Sequence, residues 1–144
     1  MKKLLLLVLF IGVAAGAQEN KHEKIKALKR AHITEVLALS TAEAEKFWPV
    51  YKVYEDKMDV MRRSERKELG VFKRDSLESL TDAEANTLID KLLEIKSKEL
   101  EYRRELILEL RKVISPKKVL KLKKAEEEFK RELLKQYRNR KGKE

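Results

Sequence analysis

Apolar residues recur along this chain at intervals of three and four positions, which is the spacing of one face of an α-helix. The pattern covers four stretches, at about residues 23–37, 41–69, 82–113 and 116–138. The second stretch is the richest in aromatic and methionine side chains, in the stripe Ala44, Phe47, Trp48, Tyr51, Tyr54, Met58 and Met61. The spacing therefore predicts an all-α protein of about four helices.

The last three stretches open with the same helix-start signal, an apolar residue followed by Ser or Thr. The predicted N-caps are Ser40 or Thr41 for the first copy, Thr81 for the second and Ser115 for the third. Glu43 lies three residues after Ser40, and Glu84 lies three residues after Thr81, which is the spacing of a capping box. In the third copy Pro116 takes the first helical position and Lys118 replaces the acid. The motif predicts where helices begin and says little about function, because any helical bundle needs caps.

Breaks in the pattern predict the overall shape. Pro49 lies inside the second stretch and predicts a kink near Glu45, while Gly70 predicts a helix end followed by a loop over 71–80. The third stretch has no breaker, and its 32 residues predict a helix of about 48 Å. A compact domain of this size has a radius of gyration of only about 14 Å. We therefore expect an elongated, kinked helical hairpin.

The N-terminus has the pattern of a secretory signal peptide. Lys2 and Lys3 precede the apolar run Leu4–Val13, and Ala15-Gly16-Ala17 supplies small residues for cleavage before Gln18. An uncleaved membrane anchor is the alternative, although the run is shorter than the ~20 residues that a span needs. The predicted organisation is a signal peptide at 1–17, one helical domain at 18–138 and a charged tail at 139–144. The predicted location is the periplasm of a Gram-negative bacterium.

Composition limits the partners. The 144 residues include 35 Lys and Arg against 25 Asp and Glu, and there is no cysteine to form a disulfide. In an exported protein this excess positive charge points to acidic polypeptides, lipid headgroups or envelope polymers, and not to nucleic acid.

Candidate chemistry is sparse. His22 and His32 are ten residues apart, so they do not share one helix face as a ligand pair would. A di-iron bundle needs two Glu-x-x-His motifs, and the sequence has this spacing only at Glu19–His22. A glycine-rich phosphate loop and a nucleophile in a recognisable context are missing from the sequence. We therefore expect no enzyme activity, metal or cofactor, and we interpret His32 as a packing residue in preference to a ligand.

The aromatic and methionine stripe is the candidate binding surface. We predict client binding by Phe47, Trp48, Tyr51, Tyr54, Met58 and Met61. Amphipathic aromatics beside adaptable methionines suit a surface that binds varied partners. The alternative is that these side chains form the core between the first two helices, and for Phe47 and Trp48 it is at least as well supported.

The repeated segments Leu-Ser-Thr-Ala-Glu-Ala at 39–44 and Leu-Thr-Asp-Ala-Glu-Ala at 80–85 resemble the LTxxQ repeats of the Spy/CpxP family of periplasmic stress chaperones. Residues 25–61, and Phe-Trp-Pro-Val-Tyr at 47–51 most of all, resemble small exported Bacteroidetes proteins often labelled Spy/CpxP-like or sensors of an extracytoplasmic-function sigma factor. The resemblance implies a kinked helical hairpin that dimerises into a thin cradle and holds unfolded clients without ATP. Glu43 and Glu84 stand where the motif has Gln, and the histidine and cysteine of zinc-responsive relatives have no counterpart.

These observations favour an ATP-independent periplasmic chaperone, a homodimer that binds unfolded or acidic clients on a basic amphipathic surface. The alternative is a regulatory protein that binds an envelope sensor or anti-sigma factor. A third hypothesis, peripheral binding to anionic membranes, rests only on charge and amphipathicity and is less favoured.

Overall fold

The computed structural model describes residues 16–70 and 77–142, with side chains from Asn20 onward, and no β-strand occurs among these residues. It contains four helices, α1 (Gly16–Leu37), α2 (Thr41–Gly70), α3 (Asp82–Leu110) and α4 (Pro116–Lys141). The predicted all-α class and the number of helices are confirmed. Most of the predicted signal peptide and residues 71–76 of the predicted loop lie outside the described residues.

The helix ends differ from the predicted ones in three places. α1 begins at Gly16 instead of about residue 23, α4 continues past Arg138 to Lys141, and α3 ends at Leu110 instead of about Val113. After Leu110 the chain tightens into a turn, in which Val113 N–H donates to Leu110 O at 3.0 Å. A cap followed by proline needs extended backbone, so a helix cannot run directly into it.

All three predicted N-caps are confirmed. Glu43 N–H donates to Ser40 Oγ at 3.1 Å, and Ser40 N–H donates to the Glu43 carboxylate at 3.2 Å. Thr81 and Glu84 form the same capping box at α3. Ser115 caps α4 by accepting from a backbone N–H at 3.3 Å. Each box satisfies two N–H groups that a helix start otherwise leaves without partners.

The N-terminal turns of α2 and α4 are joined by an ion pair. Lys118 Nζ donates to both oxygens of Glu43, at 2.8 and 3.1 Å, and both side chains are about three-quarters buried. A lysine in the first turn of a helix opposes the helix dipole, and the Glu43 carboxylate compensates it. The hydrogen bond from Lys118, followed by that from the Ser40 backbone, lowers the pKa of Glu43 from its usual 4.5.

Because this pKa is lowered on folding, the stabilisation by Glu43 is present above pH 4.5 and is lost as the pH falls through the lowered folded value. Glu43→Gln keeps a capping side chain and removes the charge. We expect this variant to unfold more easily than wild type at neutral pH, and the difference to disappear in acid. Denaturant titrations across this pH range measure it.

The control is Glu84→Gln, because Glu84 has the same capping role and no ion pair among the described residues. In a double-mutant cycle, Glu43→Gln should have little effect once Lys118 is also Gln. Additive effects of the two substitutions would contradict the pairing.

α1 ends in a Schellman motif. Leu39 N–H donates to Thr34 O at 3.1 Å and Ala38 N–H to Glu35 O at 3.0 Å. Ala38 takes the left-handed position with φ at 49°, the one non-glycine residue with positive φ among those described. Glycine is the usual residue at this position, because a Cβ atom is strained there.

Ala38→Gly should raise the free energy of unfolding by about 1 kcal/mol, because it removes this strain. The matched control is Ala27→Gly in the exposed interior of α1, which should lower stability by about the same amount. Denaturant unfolding of both variants measures the effect. Destabilisation by both substitutions would contradict the strain argument.

The described residues form two compact units, residues 16–39 with 120–142 and residues 40–70 with 77–119. In the first unit, Ile33, Leu37, Leu122 and Ala125 are buried. The second unit is built on α2 and α3, which run antiparallel and are joined by ion pairs along their length. These pairs are Lys57–Glu105 at 2.7 Å, Lys96–Glu65 at 3.1 Å and Lys91–Glu68 at 3.1 Å. We call these two helices the hairpin.

Candidate binding groove

The aromatic stripe of α2 divides by burial. Phe47 and Tyr51 are fully buried, Met58 and Met61 are 8% exposed, and Trp48 and Tyr54 are half-buried. Of the two interpretations from the sequence, the core interpretation fits Phe47 and Tyr51. Almost none of the surface of these two side chains is accessible to a partner.

The four aromatic rings form one continuous cluster along α2. Phe47 and Tyr51 stack with centroids 5.5 Å apart, and Trp48 lies edge-on to both, at 4.8 and 5.5 Å. Tyr54 extends the series 5.9 Å from Tyr51. These are favourable aromatic geometries, worth about 0.5–1.5 kcal/mol per pair beyond burial.

Phe47→Ala should cost about 3–5 kcal/mol of folding free energy, because it empties a fully buried site. Tyr54→Ala should lower the folding free energy by less, because the Tyr54 side chain is only half-buried. Urea unfolding measures both values. A loss below about 1 kcal/mol for Phe47→Ala would show that the cluster is not core.

An open groove of about 410 Å³ lies between the two hairpin helices beside this cluster. Its lining is mostly apolar and comes from both helices: Val50, Val53, Tyr54 and Lys57 of α2, and Tyr102, Glu105, Leu106, Leu108 and Glu109 of α3. Val53 is 57% exposed and Leu108 is 47% exposed, so both side chains are accessible.

A single cation spans the groove. Lys57 Nζ lies 2.7 Å from Glu105 Oε2 and 4.8 Å from the centre of the Tyr102 ring. The hydrogen bond to Glu105, with smaller contributions from the negative charges nearby, raises the pKa of Lys57. Lys57 therefore stays protonated at neutral pH, and its charge is balanced within the groove.

A second cavity of about 280 Å³ follows the first along the hairpin. Val60, Met61 and Ser64 line it seven residues after Val53, Tyr54 and Lys57 of the first cavity. On α3, Ile95 and Lys98 lie seven residues before Tyr102 and Glu105. Seven residues are close to two helical turns, so the two cavities lie in line on one face of the hairpin. We call the pair the hairpin groove.

Two of the six predicted site residues line this groove, Tyr54 in the first cavity and Met61 in the second. Phe47, Trp48, Tyr51 and Met58 line neither cavity. The groove also contains residues that the sequence reasoning missed, chiefly Val53, Val60 and Leu108. Val53 and Val60 are seven residues apart and fall outside the main apolar stripe, a signal that could have identified them.

Positive charge is not concentrated at the groove. Residues 40–119 contain 18 Lys and Arg against 17 Asp and Glu, whereas residues 120–142 contain nine Lys and Arg against four Glu. Residues 40–119 are thus nearly neutral, and the aromatic stripe and the basic surface expected from the sequence are separate features.

His32 of α1 packs beside α4 within the first unit. Its ring centroid lies 6.1 Å from that of Phe129, and its Nε2 lies 3.7 Å from Glu128. The contact with the Phe129 ring agrees with the packing interpretation of His32.

Among the described residues, no group of three or more His, Cys, Asp or Glu side chains is placed to hold a metal ion. No helix within 16–70 or 77–142 combines the length and apolar character required to cross a bilayer. The groove can bind apolar side chains, with Lys57 and its acidic neighbours on the rim.

No protein-family model, curated protein or solved structure matches this chain. The resemblance to the Spy/CpxP family therefore remains a prediction based on residues 25–61 and the two repeated helix starts.

Proposed function

We propose that this protein is an ATP-independent chaperone of the cell envelope that holds apolar segments of unfolded polypeptides in the hairpin groove. The observation that supports the proposal is the groove itself, an open and mostly apolar channel formed by two long helices. Val53 and Leu108 stand accessible on its walls.

The shape of the groove suits transient binding. Its walls are shallow and consist of valine, leucine, tyrosine and methionine, which accept apolar side chains without selecting one sequence. Each client side chain loses only part of its water contact, so the affinity per site is modest and release needs no nucleotide.

The charges around the groove limit what binds. The rim of the first cavity has Lys57 paired with Glu105, and that of the second has Lys91 paired with Glu68. Because these pairs are internally balanced, a client gains little from its net charge and is held by apolar contact. The groove should thus accept unfolded clients of either charge, including the acidic clients expected from the sequence.

The envelope location rests on the signal-peptide pattern of residues 1–17. A homodimer is part of the same proposal, because a second hairpin would lengthen the apolar channel available to one client.

The test uses a double substitution, Val53→Asn with Leu108→Asn, which makes the groove walls polar. Removing two exposed apolar side chains should weaken client binding about tenfold, from about 25 cal/mol per Å² of lost apolar contact. The measurement is suppression of aggregation of a reduced or heat-treated test protein at equimolar addition. Wild-type protein should suppress it, and the variant should need a large excess.

The control is Leu93→Asn with Leu100→Asn. These α3 leucines are 63% and 72% exposed and do not line the groove. Both variants should keep their helical content and melting temperature. Equal activity of the two variants and wild type would refute the groove as the client site, and failure of folded wild-type protein would refute the chaperone function. Capture of one dominant partner in envelope crosslinking, instead of many clients, would favour the regulatory alternative.

A further inference from the structure

A second surface lies on α4, within the first unit. Its residues follow the four-three spacing of one helix face and form the stripe Leu120, Lys124, Glu127, Arg131, Leu134 and Arg138, with Lys135 adjacent. All are exposed, with Leu120 at 76% and Leu134 at 47%. Leu122 and Ala125, at other positions around the same helix, are fully buried. We call this surface the α4 basic stripe.

The cations of the stripe are available to a partner. Lys124, Arg131 and Arg138 are seven residues apart, so they align at intervals of about 10.5 Å. Arg131, Lys135 and Arg138 form no ion pair with any described residue, and Lys124 has only a 3.7 Å approach to Glu128. The hairpin lysines 57, 91, 96 and 98, by contrast, each pair with a glutamate at 3.1 Å or less.

One part of the stripe has the form of a headgroup site. Arg131, Leu134, Lys135, Arg138 and Asn139 surround a depression of about 360 Å³. Two guanidinium groups and an ammonium group around one depression suit a phosphate, because charge-assisted hydrogen bonds to such oxygens are strong.

We propose that the α4 basic stripe docks this protein on an anionic lipid surface. The cations bind phosphate headgroups while Leu120 and Leu134, about 21 Å apart on the same face, enter the boundary between headgroups and acyl chains. A soluble acidic partner would use the cations and leave both leucines in water. A lipid surface binds the cations through its headgroups and the leucines through its apolar interior. Because the headgroups move laterally, they can pair with cations at any spacing.

The test is flotation of the mature chain, which starts at Gln18 without the predicted signal peptide, with vesicles of phosphatidylcholine alone or mixed with phosphatidylglycerol. Wild-type protein should bind only the anionic vesicles, at low salt, and dissociate when salt reduces the Debye length to about 3 Å. The triple variant Lys124→Gln, Arg131→Gln, Arg138→Gln should bind about 100-fold more weakly, at about fivefold per cation.

A matched control separates the stripe from net charge. Arg63→Gln, Arg66→Gln and Lys67→Gln remove three exposed cations from α2, and this variant should keep vesicle binding within about fivefold of wild type. Equal losses in the two triple variants, or no binding of wild-type protein to anionic vesicles, would overturn the proposal.

Inorganic polyphosphate distinguishes lipid from a soluble polyanion. Leu120→Asn with Leu134→Asn should weaken vesicle binding and leave polyphosphate binding unchanged, because only the bilayer takes up the leucines. Unchanged vesicle binding by this leucine variant would refute lipid docking and assign the stripe to soluble polyanions. The same variant should suppress aggregation as wild type does, so this proposal and the proposed chaperone function can fail separately.

Discussion

The ion pair between Glu43 and Lys118 determines how the second unit is assembled. It connects two helix starts that lie 75 residues apart in the chain and places the first turn of α4 beside that of α2. The two charges act differently on their own helices, since Glu43 suits the N-terminal dipole of α2 and Lys118 opposes that of α4. Each residue therefore makes physical sense mainly in the presence of the other. A neutral Gln at position 43 could form the capping box but could not balance the lysine.

The molecule separates its apolar and its electrostatic surfaces. Phe47 and Tyr51 of α2 are used in internal packing, whereas Val53 and Val60 leave exposed apolar surface in the groove. Within the hairpin, the α2–α3 ion pairs Lys57–Glu105, Lys96–Glu65 and Lys91–Glu68 balance charges along the two helices, so a partner in the groove meets apolar side chains and paired charges at the rim. Half of the excess positive charge lies in residues 120–142, which have nine Lys and Arg against four Glu. Two binding modes, apolar and electrostatic, are thereby available on different helices.

The sequence predicted the helices well and the site only in part. The sequence was sufficient to predict the helical class, the order of the helices and the caps at Ser40, Thr81 and Ser115. Each of these depends on residues within one turn of each other. From the sequence, Lys118 is only a replacement for the acid of a capping box. Its ion-pair partner Glu43 lies 75 residues away, and no local sequence pattern connects the two residues. Tyr54 and Met61 were included in the predicted site and line the groove, whereas Phe47 and Tyr51 are core. One stripe on a helix cannot reveal which of its positions a second helix will cover.

The sequence by itself determined the α-helical class, the number and starts of the helices, and the excess of positive charge, because these follow from local spacing and composition. Only the tertiary structure decided the pairing of Glu43 with Lys118, the neutralisation of the hairpin charges, and the division of the aromatic stripe into core and groove. The physical reason is that burial and charge pairing depend on which helix faces meet. Which faces meet depends on contacts between residues tens of positions apart. The apolar period of a single helix carries no information about those contacts.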